Sequence, residues 1–330
     1  MNAAITDVTG SAAGAEAVSD VVGWLPAAHG DAELMADLAG QIQRATGFEN
    51  LGVPFCLTVE AEALGSRVDR GSLSREPTVV QEAFATLAAV PRRLPDRLPD
   101  DGRIQVVTEA VYALATRHRE LPVVANVSGP VSTAASLVEP TALLKGLRRN
   151  PQDAHRLLSQ VTDFLLAYAI SLCEAGATVI AVGDPTATGE ILGPKLFAEY
   201  TVPYLNRLVT GIKATGTPAV VHICGDLSQV RDQIPALGAD AISTDAMVNL
   251  AALKRDYPQL VTMGNVSTFM LQSGDPARIE ARTRALVRDG VDIISPACGL
   301  STTTTLANIR AITDTVNLAG LAPVLSGSLG

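Results

Sequence analysis

A (β/α)8 barrel in a single domain is the fold class that this sequence predicts, and three observations lead there. Short apolar runs alternate with amphipathic stretches, the pattern of parallel strands joined by right-handed helical crossovers. About eight such runs fit into 330 residues, which suits one barrel of ~250 residues plus insertions. Polar residues collect where the runs end, and a barrel gathers all its carboxyl ends onto one rim. A doubly wound sheet shares the alternation but leaves its flanking strand ends far apart.

In chain order, the first strand is expected at 3–8, ending at Thr9, with helices at 12–21 and 31–46. The second, at 51–57, ends with Cys56 and Thr58. Residues 60–121 form the largest insertion; its charged, proline-rich part from Pro91 to Gly102 reads as a surface excursion or lid. The third strand, 122–127, ends with Asn126 and Ser128, and helices follow at 140–147 and 151–174. The fourth, 178–182, leads to Asp184. Helix 194–214 starts with Pro194 after Gly193, the favoured first-turn position, and Pro203 inside it predicts a kink. The fifth strand, 219–223, delivers His222 and Cys224; a helix at 227–237 leads to the sixth, 241–243, before Asp245. A helix at 249–256, strand 261–264 before Asn265, a helix at 276–290, strand 292–295 before Cys298 and a helix at 304–319 complete the series. The tail from about 322 is small and Gly/Ser-rich, and reads as frayed.

Composition narrows the function. Hydrophobic residues make up 47% of the chain and charged residues 18%, enough for a large core and too apolar for global disorder. A net charge of -9 excludes non-specific nucleic-acid binding, which needs clustered Lys and Arg. No membrane span is expected: the most apolar stretch, from Phe164 to Gly183, is broken by Glu174, Ala175 and Gly176. The chain opens without a basic, then apolar leader and carries only four cysteines, which points to a reducing, cytoplasmic setting with free thiols. No G-x-G-x-x-G run opens a helix after a strand, so a dinucleotide site is unsupported.

The chemistry concentrates in His222-Ile223-Cys224-Gly225 and Pro296-Ala297-Cys298-Gly299. Side chains two apart in a strand point the same way, so His222 and Cys224 can face one point, and Cys298 can reach it from another strand. One imidazole and two thiolates are three ligands for Zn²⁺, leaving the fourth position open as catalytic sites do. Read separately, they would be an ordinary core histidine and buried cysteines. With two thiolates and a neutral imidazole the centre is formally neutral. It suits holding an incoming thiol as a nucleophile better than hydrolysis.

Asp245 is a candidate fourth metal ligand or acceptor for His222, against a plain helix cap or loop carboxylate. Asp184, in Gly183-Asp184-Pro185-Thr186, is a candidate for orienting substrate or passing a proton, against turn chemistry. Glu60 is the better catalytic candidate of the Glu60/Glu62 pair, which otherwise reads as acids on a first helical turn. Asn126 and Asn265, at strand ends, are candidates for holding a cofactor. Cys56, Cys173, His29, His118 and His155 are read as packing or surface residues.

These residues resemble the uroporphyrinogen decarboxylase superfamily, and within it the methylcobamide:coenzyme M methyltransferases and their corrinoid-dependent relatives. The likeness is carried by Pro54-Phe55-Cys56-Leu57-Thr58-Val59-Glu60-Ala61-Glu62, Gly129-Pro130, Gly183-Asp184-Pro185, His222-Ile223-Cys224-Gly225, Gly264-Asn265-Val266 and Pro296-Ala297-Cys298-Gly299-Leu300. It spans nearly the whole chain, and His-x-Cys with a distant Cys is its specific part. The resemblance implies a zinc centre on His222, Cys224 and Cys298, with Asp245 as a ligand before the thiol arrives. It implies methyl transfer from a methylcorrinoid, carried on a separate corrinoid protein, to a small thiol such as coenzyme M. Homocysteine (a cobalamin-independent methionine-synthase-like enzyme), tetrahydrofolate as acceptor, and a zinc-free decarboxylase are the alternatives. The family's chains open with a helix before the first strand, whereas here a strand is expected almost at Met1.

Overall fold

The computed structural model describes residues 25–320 except 74, 96 and 301–303. The strand expected at 3–8, Thr9, the helix at 12–21 and the tail from 322 lie outside the described residues.

After a helical turn at Leu25–Ala28, α1 (Ala32–Thr46) starts where Asp31 accepts the Leu34 N–H and stops at Gly47, whose φ of 73° suits glycine. Strand β1 (Leu51–Val53) follows, then α2 (Val59–Ala63), the antiparallel hairpin β2 (Arg67–Asp69) and β3 (Thr78–Gln81), and α3 (Arg103–Arg117). Next come β4 (Val123–Ser128), α4 (Pro130–Leu137), α5 (Pro140–Arg149), α6 (Pro151–Glu174), β5 (Val179–Gly183), α7 (Gly189–Leu196) and α8 (Val202–Lys213). The chain continues through β6 (Ala219–Ile223), β7 (Ala241–Thr244), α9 (Leu250–Asp256), β8 (Thr262–Met263), α10 (Thr268–Ser273), α11 (Pro276–Arg288) and α12 (Leu306–Leu318).

The barrel wall is a parallel sheet in the order β1-β4-β5-β6-β7-β8, so each crossover moves one strand along the wall. Ile293 and Pro296 extend it to a seventh position through parallel bridges to Met263 and Val266. Side-chain alternation sorts the strand residues into two layers. Val124, Val179, Ala181, Val220, Ala241 and Met263 form a separate apolar cluster inside the barrel. Their alternates, such as Ala125, Ile180, Val221 and Ile242, pack outward against the helices. The 24-residue α6 is apolar enough by length and composition to span a membrane, yet it buries Leu157, Leu158, Val161, Leu165, Tyr168 and Leu172 in that outer layer.

The wall is laced at its ends. The Thr313 hydroxyl of α12 donates to the Thr46 carbonyl at 2.8 Å, and Arg310 Nε donates to the Ala45 carbonyl at 2.8 Å, fastening the last helix onto α1.

Several elements depart from the sequence reading. The strand expected at 51–57 stops at Val53, because Pro54 has no N–H to continue a ladder. The strand expected at 292–295 survives only as bridges, and Pro296 again lacks the donor. The helix expected at 227–237 is a 3₁₀ segment, Arg231–Leu237, with Pro235 inside it. Within 60–121, the 15-residue α3 is the crossover between β1 and β4, and only the part before it, with its hairpin, is an excursion. The kink expected at Pro203 is a π-helical turn, Phe197–Thr201, that ends where Pro203 opens the regular helix. A proline ring clashes with the carbonyl of the preceding turn, and widening that turn relieves it.

Candidate metal centre

Alternation within β6 aims the site. Val220 faces the barrel interior, so His222, two residues on, also faces inward at the carboxyl end. Ser243 is its register partner on β7, and Ser243 Oγ lies 2.9 Å from His222 Nδ1. That hydrogen bond fixes the ring and turns Nε2 toward Cys224, whose Sγ is 3.0 Å away. Cys224 stands just beyond the strand end, and Gly225, with φ of 73°, then turns the chain. That left-handed angle is what calls for glycine at residue 225. Cys298 arrives from the loop after the seventh strand position, with its Sγ 3.7 Å from that of Cys224.

The ligand atoms of His222, Cys224 and Cys298 all lie within 4.8 Å of one another. Two sulfurs held ~2.3 Å from a tetrahedral zinc ion are ~3.8 Å apart, which matches the observed Sγ–Sγ spacing. The imidazole–sulfur contact is closer than tetrahedral ligation sets, and a side-chain adjustment of about half an ångström opens it. Charge argues the same way. Hydrogen bonds from Cys224 and His222 pull the Cys298 thiol down, while Cys298 and burial push Cys224 up. Ionising one thiol opposes ionising its neighbour, and a divalent cation between them would let both ionise.

A cavity of about 250 Å³ opens over this group. Besides the ligands it is lined by Cys56, Thr58, Glu76, Pro77 and Met263, among others. Its size suits a small thiol rather than a macrocycle.

The remaining sequence candidates stand around the cavity rather than in it. Asp245 lies outside the group of close ligand atoms, and the place beside His222 Nδ1 that it was expected to fill belongs to Ser243. Its own carboxylate accepts the Met247 N–H at 3.3 Å, within its loop. Asp184 is fully buried and accepts from Val131 N, Ser132 N and Ser132 Oγ, so it caps the start of α4. Burial raises its carboxyl to about 6, and the three donors oppose that rise. Glu60 is buried on α2; one oxygen accepts the Ser128 N–H at 2.7 Å, and the other takes no hydrogen bond. Burial pushes its carboxyl to about 7. Asn126 donates to the Pro54 carbonyl. Asn265 donates to the Asp245 and Val248 carbonyls, tying the loops after β7 and β8 together. Both asparagines are buried and work as loop ties; neither lines the cavity.

Sequence reading missed Ser243, Glu76, Pro77 and Cys56 as lining residues. Ser243 meets His222 only through the register of β6 with β7. Glu76 and Pro77 come from the hairpin loop and carry no local signal. Cys56, read as packing, lines the cavity with its Sγ 2.6 Å from Arg103 Nη2. Arg103 is itself buried and also donates to Thr58, Glu62 and the His29 carbonyl.

A family model described as Uroporphyrinogen decarboxylase (URO-D) matches residues 13–318. The chain is 32% identical over 291 residues to the "Methylcobamide:CoM methyltransferase MtbA" of Methanosarcina mazei, covering 88% of this chain and 85% of the relative. It is 30% identical over 306 residues to the "Methylcobamide:CoM methyltransferase MtaA" of Methanosarcina barkeri, covering 90% and 88%. A solved structure titled "methyltransferase from Methanosarcina mazei" superposes with a TM-score of 0.88 at 27% identity, covering 97% of this chain and 93% of that one.

Proposed function

This chain belongs to the uroporphyrinogen decarboxylase family, and within it we propose that it is a zinc-dependent methyltransferase moving a methyl group from a methylated corrinoid to a small thiol. The observation that carries this reading is the convergence of one imidazole and two thiols, within 4.8 Å, on the floor of a small cavity at the barrel's carboxyl end. Relatives at about this distance are named as methylcobamide:CoM methyltransferases, which supports the donor and the thiol class of acceptor.

His222, Cys224 and Cys298 would hold the ion, and Ser243 keeps the imidazole presenting Nε2. When bound, zinc lowers the acceptor thiol's pKa so that it stands ready as a thiolate at neutral pH. In the transfer the S–H proton leaves to solvent, a new C–S bond forms, and the Co(III)–CH₃ bond breaks with both electrons remaining on cobalt as Co(I). The cavity walls, largely apolar, hold the sulfur in place and keep bulk water from competing with it. The corrin ring exceeds a cavity of about 250 Å³, so the donor meets the sulfur at the mouth, presented by a corrinoid protein. Asp245, whose charge is felt at Cys224, would complete the coordination before a thiol enters only by leaving the Met247 N–H that it accepts within its loop.

The test is metal analysis of protein purified without chelator, combined with methylcobalamin demethylation in the presence of thiols. Near-stoichiometric zinc and thiol-dependent demethylation are expected, with both lost in Cys224→Ser and Cys298→Ser while the barrel still folds. Full zinc and full activity in either variant would sink the assignment.

A further inference from the structure

We infer that the rim of the cavity is a seat for the corrin disc itself, with Met247 and Phe269 as its main apolar contacts. The inference rests on the methyl-transfer reading above and specifies where that reaction's donor binds.

Among the described residues, five of the seven large hydrophobic side chains that stand exposed lie on segments following the carboxyl ends of barrel strands. Such side chains scattered singly are ordinary; gathered at one end, they mark a binding surface. Leu73 and Val80 belong to the β2–β3 hairpin, whose loop brings Glu76 and Pro77 to the cavity wall. Ile191, on α7, follows Glu190, whose carboxylate lies beside Gly225 and so next to the Cys224 ligand. Met247 follows β7, which lines the cavity through Ser243, and Phe269 follows β8, which lines it through Met263. The two exceptions, Tyr112 and Leu318, are on α3 and α12.

Phe269 is 80% exposed and Met247 64%, yet both stand on anchored backbone. Asn308 Nδ2 donates to the carbonyls of Leu271 and Gly274 at 2.8 and 3.0 Å, and Leu271 is buried, so α10 is fixed from below. Asn265 Nδ2 donates to the carbonyls of Asp245 and Val248 at 2.7 and 2.8 Å, on either side of Met247. Asn265 itself belongs to the β8–α10 connection, so one residue ties together the two segments that carry these side chains. Covering them therefore requires little new ordering of the chain.

The chemistry selects the occupant. A methyl group on cobalt must come within reach of the acceptor sulfur at the cavity floor, yet a cavity of about 250 Å³ admits no macrocycle. The disc must lie across the opening, with its edge over the rim. That edge carries methyl groups and methylene chains between its amides, and an apolar rim removes this hydrocarbon from water. Phe269 offers a flat, rigid face, and the Met247 thioether adapts to an irregular outline.

The experiment titrates the full chain with methylcobalamin by equilibrium dialysis and, in parallel, assays methyl transfer to 2-mercaptoethanol. Phe269→Ala and Met247→Ala should each raise the Kd for methylcobalamin by ~5–10-fold, as for about half of an apolar side chain covered. kcat/KM for methylcobalamin should fall in proportion, while zinc content and KM for the thiol stay at the parent values. Tyr112→Ala, exposed on α3, should match the parent throughout. Absence of saturable methylcobalamin binding, or rim variants that bind it as tightly as the parent, overturns the inference. A parent dimer in sedimentation that both rim variants dissolve, with methylcobalamin binding unchanged, also overturns it and gives the rim to a second copy of this chain. If methylcobalamin binds and the rim variants weaken it, but no thiol is methylated, the transfer reading fails and the seat stands.

Discussion

Ser243 shows how much of the site depends on one hydroxyl. Its Oγ, 2.9 Å from His222 Nδ1, is what commits Nε2 to the metal side. Ser243→Ala should weaken zinc binding by ~10–100-fold, the usual effect of removing such a support, measured by competition with a chromophoric chelator. Ser243→Thr, which keeps the hydroxyl, should recover most of it. His222, Cys224 and Cys298 were legible because strand alternation and the repeated Cys-Gly ending are local patterns. Ser243 was not, because cross-strand register is a property of pairing that one strand's residues do not encode. Glu60 gives a second prediction at this scale. Its buried carboxyl is raised from 4.5 to about 7, so the folded state prefers it protonated. Its stabilising contribution is full below pH 4.5 and falls away as pH climbs to about 7. Glu60→Gln keeps an acceptor for the Ser128 N–H and removes that loss. The variant should gain on the parent by about 3 kcal/mol between pH 4.5 and 8, read from urea unfolding across pH. A flat difference would mean that Glu60 is ionised and paired in the fold.

At the scale of elements, Asp184 and α4 form one unit. The carboxylate gathers the first N–H groups of α4, and the approach is so close that a Cβ on Gly129 would lie 2.4 Å from the Asp184 side chain. Asp184→Ala should cost ~1–2 kcal/mol as a lost cap and more for the donors left buried, while zinc content stays at the parent level. Loss of zinc with unchanged stability would overturn this capping role. Most barrel strands were readable because each is a short run of β-branched residues ending at a turn. Helix α3 was not, although Ile104, Val107, Ala110, Val111 and Leu114 are its buried face. The prolines and charges just before it drew its sequence into the excursion. The shortened strands at Val53 and Ser295 went the same way. Apolar content predicts a strand, but a following proline decides where the ladder stops.

The molecule as a whole should respond to its metal. The ligands come from β6 and from the segment after the seventh strand position, so an ion bridging Cys224 and Cys298 links distant parts of the chain. Zinc at about 100 times its Kd should stabilise the fold by ~2.7 kcal/mol, and a chelator should remove that gain, both visible in thermal melts. Cys298→Ser should melt at one temperature with or without zinc. The order of the barrel strands was legible from alternation. The hairpin that brings Glu76 over the cavity was not, since nothing in its residues indicates what it folds against.

The bonds from Thr313 and Arg310 to the carbonyls of Thr46 and Ala45 have one more consequence. They act as a clasp, and a clasp marks where a ring opens first. The fastening lies between the first and last long helices of the described residues, away from β6 in strand order, so a slit there would spread along the wall before it disturbed the sulfurs.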